Sequence, residues 1–129
     1  MYTVYNGGMV RKDWLSVLLG SIILYFSISG RTAVMRDEQI EGVAKYLKSM
    51  SHPIRLKILC LLLGGELAVG ELLNQVGTTG ANLSQHLRML RELGVVVSDK
   101  KANIILNRIA DKRFAELIST MHRLFCPDE

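Results

Sequence analysis

The chain has 129 residues, enough for one compact domain with a short extension. Hydrophobic residues make up 49% and charged residues 22%, which excludes a disordered or collagen-like chain, and two cysteines are too few for the disulfide scaffold on which small secreted domains rely. The net charge of +4 is unevenly laid out, +3 over residues 1–36, −1 over 37–76, +4 over 77–113 and −2 over 114–129, so beyond residue 36 the positive charge sits in one stretch, as a polyanionic partner requires.

Trp14 to Gly30 runs 17 residues without a charge, after Arg11, Lys12 and Asp13 and before Arg31. As a helix it would reach about 25 Å at 1.5 Å per residue, short of a hydrocarbon core of about 30 Å. Three readings stay open for the extension, residues 1–36. The run 14–30 is a membrane anchor; or it is a secretory signal that lacks an Ala-x-Ala cleavage site; or the start is over-long and the domain opens at Met35. Basic residues on both flanks leave an anchor's orientation undecided.

From Asp37 the pattern is helical. Ile40, Val43, Leu47 and Met50 recur at three- and four-residue steps behind an acidic first turn. Ser51-His52-Pro53 resets the chain, with a capping residue ahead of a proline at the first helical position. A second helix runs from Pro53 to about Leu63 with Ile54, Ile58, Leu61 and Leu62 inward, and Gly64-Gly65 ends it. A short helix follows over Val69–Val76, then a turn at Gly77-Thr78. Thr79 can cap a further helix to about Leu93, in which Leu83, Leu87 and Leu90 line one side and Gly94 is the stop.

The period then changes. Val95-Val96-Val97 and Ile104-Ile105-Leu106 are β-branched-rich runs, and the polar residues 98–103 between them read as the basic tip of a hairpin. Asp111 can cap a last helix with Phe114, Leu117, Ile118, Met121, Leu124 and Phe125 on one wide apolar face; residues 127–129 are a tail. Four helices, a hairpin and a helix over residues 37–126 make a mainly α winged helix-turn-helix with a small β-hairpin wing. The first and last helices are more apolar than one small core needs, which predicts a dimer through them.

Two short helices joined by a tight turn place the second in the DNA major groove. If that helix is Thr79–Leu93, then Thr79, Gly80, Asn82, Ser84, Gln85 and His86 lie outward near its start, where amide, hydroxyl and imidazole groups reach base edges or phosphate. Arg88 and Arg91, with Lys100 and Lys101 of the hairpin, suit phosphates. Ser84 and His86 diverge by roughly 200° on a helix, and no glycine elbow surrounds the serine, so nucleophilic catalysis is excluded and no enzyme is expected.

Residues 52–96, with Ser84-Gln85-His86-Leu87, Leu90-Arg91 and Leu93-Gly94 as their signature, resemble the ArsR/SmtB family of small repressors. The resemblance covers about residues 37–126. It implies a cytoplasmic, dimeric winged helix-turn-helix that holds double-stranded operator DNA until an inducer arrives, with no cofactor. Metal sensors of the family carry thiolates where this chain has Glu66-Leu67-Ala68-Val69-Gly70-Glu71-Leu72, and His122 has no second ligand at helical spacing, so no metal site is expected. Cys60 within LKILC and Cys126 within MHRLFC resemble the thiol-redox branch of the family, the BigR, SqrR and HlyU type. There the two thiols are neighbours in one subunit and are bridged by disulfide or polysulfide when reactive sulfur or an oxidant acts as inducer. The rival readings are a repressor that senses a metal or nothing, and a membrane-tethered module built around the run 14–30. A thiol oxidoreductase would need a Cys-x-x-Cys pair, which is missing.

Overall fold

The computed structural model describes residues 2–5, 8–11, 18–22 and 34–126, in two units, Met1–Arg36 and Asp37–Glu129. In the first, β1 (Tyr2–Tyr5) and β2 (Gly8–Arg11) pair antiparallel from Tyr2↔Arg11 to Tyr5↔Gly8. The sequence reading had no strands here, although Asn6-Gly7, the dipeptide favoured in two-residue hairpin loops, separates them. Residues 18–22 are helical with Leu19 and Ile22 exposed. The rest of the candidate anchor 14–30 lies outside the described residues, among which no helix is long and apolar enough to cross a membrane.

In the second unit, Asp37 and Glu38 set negative charge at the N-terminal turn of α1 (Asp37–Met50), where the helix dipole favours it. Within Ser51-His52-Pro53 the cap is His52: its Nδ1 accepts from the Ile54 N–H of α2 (Pro53–Leu62) at 3.2 Å, while the Ser51 hydroxyl turns back to the Lys48 carbonyl. β3 (Leu67–Ala68) leads into α3 (Val69–Val76), and the Glu71 carboxylate accepts from the Ala68 N–H. Gly77 ends α3 at φ 77°, a left-handed conformation that glycine adopts without the Cβ penalty. The Thr79 hydroxyl then accepts from the Asn82 N–H and starts α4 (Gly80–Glu92), which Gly94 closes at φ 71°.

The wing departs from the sequence reading in two ways. Residues 98–101 are not loop: β4 (Val96–Lys101) and β5 (Ile104–Ile109) pair along their whole length, leaving Ala102 and Asn103 as the turn. β3 also joins as a third strand, in the order β3-β5-β4 with Leu67 opposite Asn107. Asp111 caps α5 (Lys112–Phe125) by accepting from the Arg113 N–H.

The core is Ile58, Leu59 and Leu62 of α2, Leu72 and Val76 of α3, Leu83, Leu87 and Leu90 of α4, with Met50, Val95, Val96, Phe114 and Ile118 closing around them. Asn107 is fully buried within it. Its amide accepts from the Ser98 hydroxyl at 2.7 Å and donates to the Leu67 carbonyl at 3.3 Å, which ties all three strands together. Asn107→Leu takes the donor from the half-buried Leu67 carbonyl and leaves the Ser98 hydroxyl only its contact with Arg91, so we expect about 1–2 kcal/mol of lost stability by urea denaturation; a loss below about 0.5 kcal/mol would show that water replaces the amide.

Candidate nucleic-acid interface and thiol pair

Because Leu83, Leu87 and Leu90 face inward, α4 presents its opposite side to solvent. Gly80, Ser84, Gln85, Arg88 and Arg91 are exposed there, and Thr79 stands exposed at the N-cap. Thr79 spends its hydroxyl on the helix start, so it shapes the reading helix as well as lining it. Arg88 pairs with Glu92 at 2.9 Å, with both side chains mostly in water; such a pair is worth little and yields easily to phosphate.

Asn82 and His86 had been expected to face outward, and both are corrected. Asn82 is half-buried, and its Nδ2 donates to the Thr78 hydroxyl at 2.8 Å, bracing the turn between α3 and α4. His86 is 8% exposed, and its ring lies against His52 and Arg55, residues of α2 and its cap. A helical wheel places His86 at the edge of the apolar stripe; the buried partner that draws it inward is 31 residues away and sets no local pattern.

On the wing, Lys100 and Lys101 are exposed. Lys101 is held by Glu66 at 3.0 Å, and Lys100 has no ion-pair partner among the described residues. Arg91 reaches the wing, donating to the Ser98 hydroxyl at 3.1 Å, so the reading helix and β4 are joined directly. Arg108 of β5, not singled out from the sequence, pairs with Asp99 at 3.0 Å. It stands opposite Val97 in the register, three positions from the Ile105 that faces Lys100, and so does not extend the lysine pair of the wing.

The two cysteines lie on different helices that pack together, Cys60 in the last turns of α2 and Cys126 at the C-terminal cap of α5. Both are exposed free thiols. Burial of its surroundings first, and then the negative charge of Cys126, push the Cys60 thiol above its ordinary pKa. The two residues are 66 positions apart in the sequence, and the fold packs the helices that carry them against each other. Removing the Cys126 charge should let Cys60 ionise more readily. We therefore expect the pH midpoint of Cys60 alkylation to fall in Cys126→Ser relative to wild type; a midpoint unmoved or raised would mean that the thiols do not sense each other. Among the described residues no cluster of His, Cys, Asp and Glu could hold a metal ion.

Residues 52–98, which span α2, the helix-turn-helix and the start of the wing, match the family described as bacterial regulatory protein, arsR family. The Biofilm growth-associated repressor of Xylella fastidiosa is 38% identical over 93 residues, covering 72% of this chain and 82% of that protein. The crystal structure of the transcriptional repressor BigR from Xylella fastidiosa matches with a TM-score of 0.64 at 38% identity, over 73% of this chain and 100% of that one. Reduced HlyU from Vibrio cholerae matches with a TM-score of 0.66 at 36% identity, over 70% of this chain and 95% of that one. With its reading helix, its three-stranded wing and these relatives, the chain belongs to the arsR family of bacterial regulatory proteins and is a winged helix-turn-helix, DNA-binding transcriptional regulator rather than an enzyme.

Proposed function

We propose that the chain is a homodimeric repressor that holds operator DNA while Cys60 and Cys126 are reduced, and releases it when reactive sulfur or an oxidant bridges them. The observation that carries this reading is the pair of exposed free thiols on the packed helices α2 and α5. The Xylella fastidiosa matches are named as repressors, which supports the output, and the HlyU structure is specified as reduced, which supports the redox trigger.

Thr79, Gly80, Ser84 and Gln85 address base edges, and Arg88, Arg91, Lys100 and Lys101 take phosphates. The second copy covers Ile40, Val43, Tyr46 and Leu47, large α1 side chains left exposed in one protomer, beside an apolar cleft that Phe114 and Leu117 of α5 complete. A symmetric pair then sets two reading helices on successive major-groove faces of a palindromic operator.

The bridging step balances with an organic persulfide as oxidant. One cysteine thiolate attacks the terminal sulfur of RSSH and expels RS⁻, leaving a cysteine persulfide. The second thiolate attacks the cysteine-bound sulfur and expels HS⁻, closing the disulfide. Two thiols give up two electrons, and RSSH leaves as RSH and H₂S. Retention of further sulfane sulfur would lengthen the bridge to a polysulfide.

The test uses the full-length chain and the duplex that it enriches from a randomised library. Treatment with glutathione persulfide should give an intramolecular bridge by intact mass and weaken binding of that duplex about 100-fold, which takes about 2.7 kcal/mol of coupling. Protein that is fully bridged and binds like the reduced form, or that forms no intramolecular bridge, overturns the reading.

A further inference from the structure

Behind the reading helix, away from the thiols, the buried polar groups of three helices converge on one guanidinium. Arg55 of α2 is 9% exposed, and a cation this far from water has to be met by acceptors. Its Nε donates to the Ser49 carbonyl in the last turn of α1. Its Nη1 lies 3.3 Å from Nδ1 of His86, in α4, and 3.6 Å from the Met89 sulfur one turn further along that helix. The His52 ring completes the group, with its centroid 4.3 Å from that of His86. No carboxylate pairs with Arg55 among the described residues, so the imidazole is the acceptor that draws it to α4.

An arginine cannot give up its proton, which settles the roles: His86 Nδ1 accepts, and the ring proton of neutral His86 sits on Nε2. Gln85 immediately precedes His86 and Ser84 lies one residue further back, both exposed. Whatever seats His86 therefore also sets the height and rotation of the edge that meets the bases. We propose that Arg55 and His86 form a positioning lock that seats the DNA-reading helix on α1 and α2, and that the lock holds only while His86 is neutral.

Burial, and then the charges of His52 and Arg55, push the His86 pKa below the usual histidine value. Both of those groups come from α2 and its cap; α1 contributes only the uncharged Ser49 carbonyl, and α4 itself the Met89 sulfur. At neutral pH the contact is thus intact. As pH falls through the depressed value, Nδ1 gains a proton, a donor meets a donor, and two positive charges face each other in a dry space. His86 is then a positioning residue and not a contact to DNA.

Affinity for the selected duplex is measured with full-length wild type, His86→Asn and His86→Leu from about pH 8 to about pH 4.5, a range that runs well below the ordinary histidine value, as the depressed titration of His86 requires. Circular dichroism and thermal melting at each pH follow folding. The Asn amide oxygen takes the place of Nδ1 and does not titrate. His86→Asn should keep affinity within about threefold of wild type at pH 8, and wild type should weaken about tenfold relative to it on the acid side. His86→Leu should lose about tenfold at pH 8. Identical pH profiles for wild type and His86→Asn, or wild-type affinity in His86→Leu at every pH, overturn the proposal. If His86→Leu does not fold, the ratio of wild type to His86→Asn across pH decides alone, since a purely structural histidine would leave that ratio constant.

Discussion

Wild-type protein treated with an organic persulfide will leave its operator, and Cys60→Ser protein treated alike will stay bound. The two thiols are free and exposed, so bridging requires only that their α-carbons come within about 7 Å. Cys60 is embedded in α2, whose neighbours Ile58 and Leu59 are fully buried, whereas Cys126 ends α5. In the proposed mechanism the end of α5 is the part expected to move, and α5 supplies Phe114 and Leu117 to the cleft that we assign to the dimer contact. Displacing it would change the angle between the two protomers of the proposed dimer and with it the spacing of their reading helices. A single bridge typically carries about 2–4 kcal/mol, enough for the expected 100-fold change. Cys126→Ser should behave like Cys60→Ser, and dithiothreitol should restore wild-type binding. Equal release of wild type and Cys60→Ser would remove the thiols from the mechanism and leave a DNA-binding regulator with another trigger.

The second large effect is on folding. Leu87→Ala is expected to cost about 3–4 kcal/mol, because a fully buried leucine loses both its transfer free energy and its packing neighbours. Leu87 sits with Leu83 and Leu90 on the inner side of α4, all at or below 1% exposure. A domain of this size has about 5–15 kcal/mol in total, so the thermal midpoint should fall by about 15–25 °C. The same truncation at Ile40, exposed on α1, should leave the isolated protomer nearly unchanged and act instead on dimerisation. A cost below about 1 kcal/mol at Leu87 would show that α4 does not pack as a core helix.

Much of the fold was legible because its rules are local. The leucine spacing of α4, the Thr79 and Asp111 caps, the acidic turn at Asp37 and the stops at Gly77 and Gly94 each depend on residues within about four positions, the reach of a helical hydrogen bond. The wing was only half legible. Polar residues 98–101 carry no strand pattern of their own, and they are strand because β5 supplies their partners. A two-residue strand such as β3 has no period to read at all, and it exists because Leu67 meets Asn107, 40 residues on.

The interface divides in the same way. Ser84, Gln85 and Lys100 could be assigned from a helical wheel and a hairpin, since exposure follows from the apolar stripe opposite. His86 could not, because its partner is Arg55 on another helix, 31 residues away. Asn82 turns to the Thr78 hydroxyl only four residues back, a local contact that the helical wheel does not show. Residue order along the chain thus determined the helices, their ends and the chemistry available to them. Tertiary structure alone decided which polar groups were left for a ligand, because burying a donor or acceptor is tolerable only where a distant segment arrives to meet it.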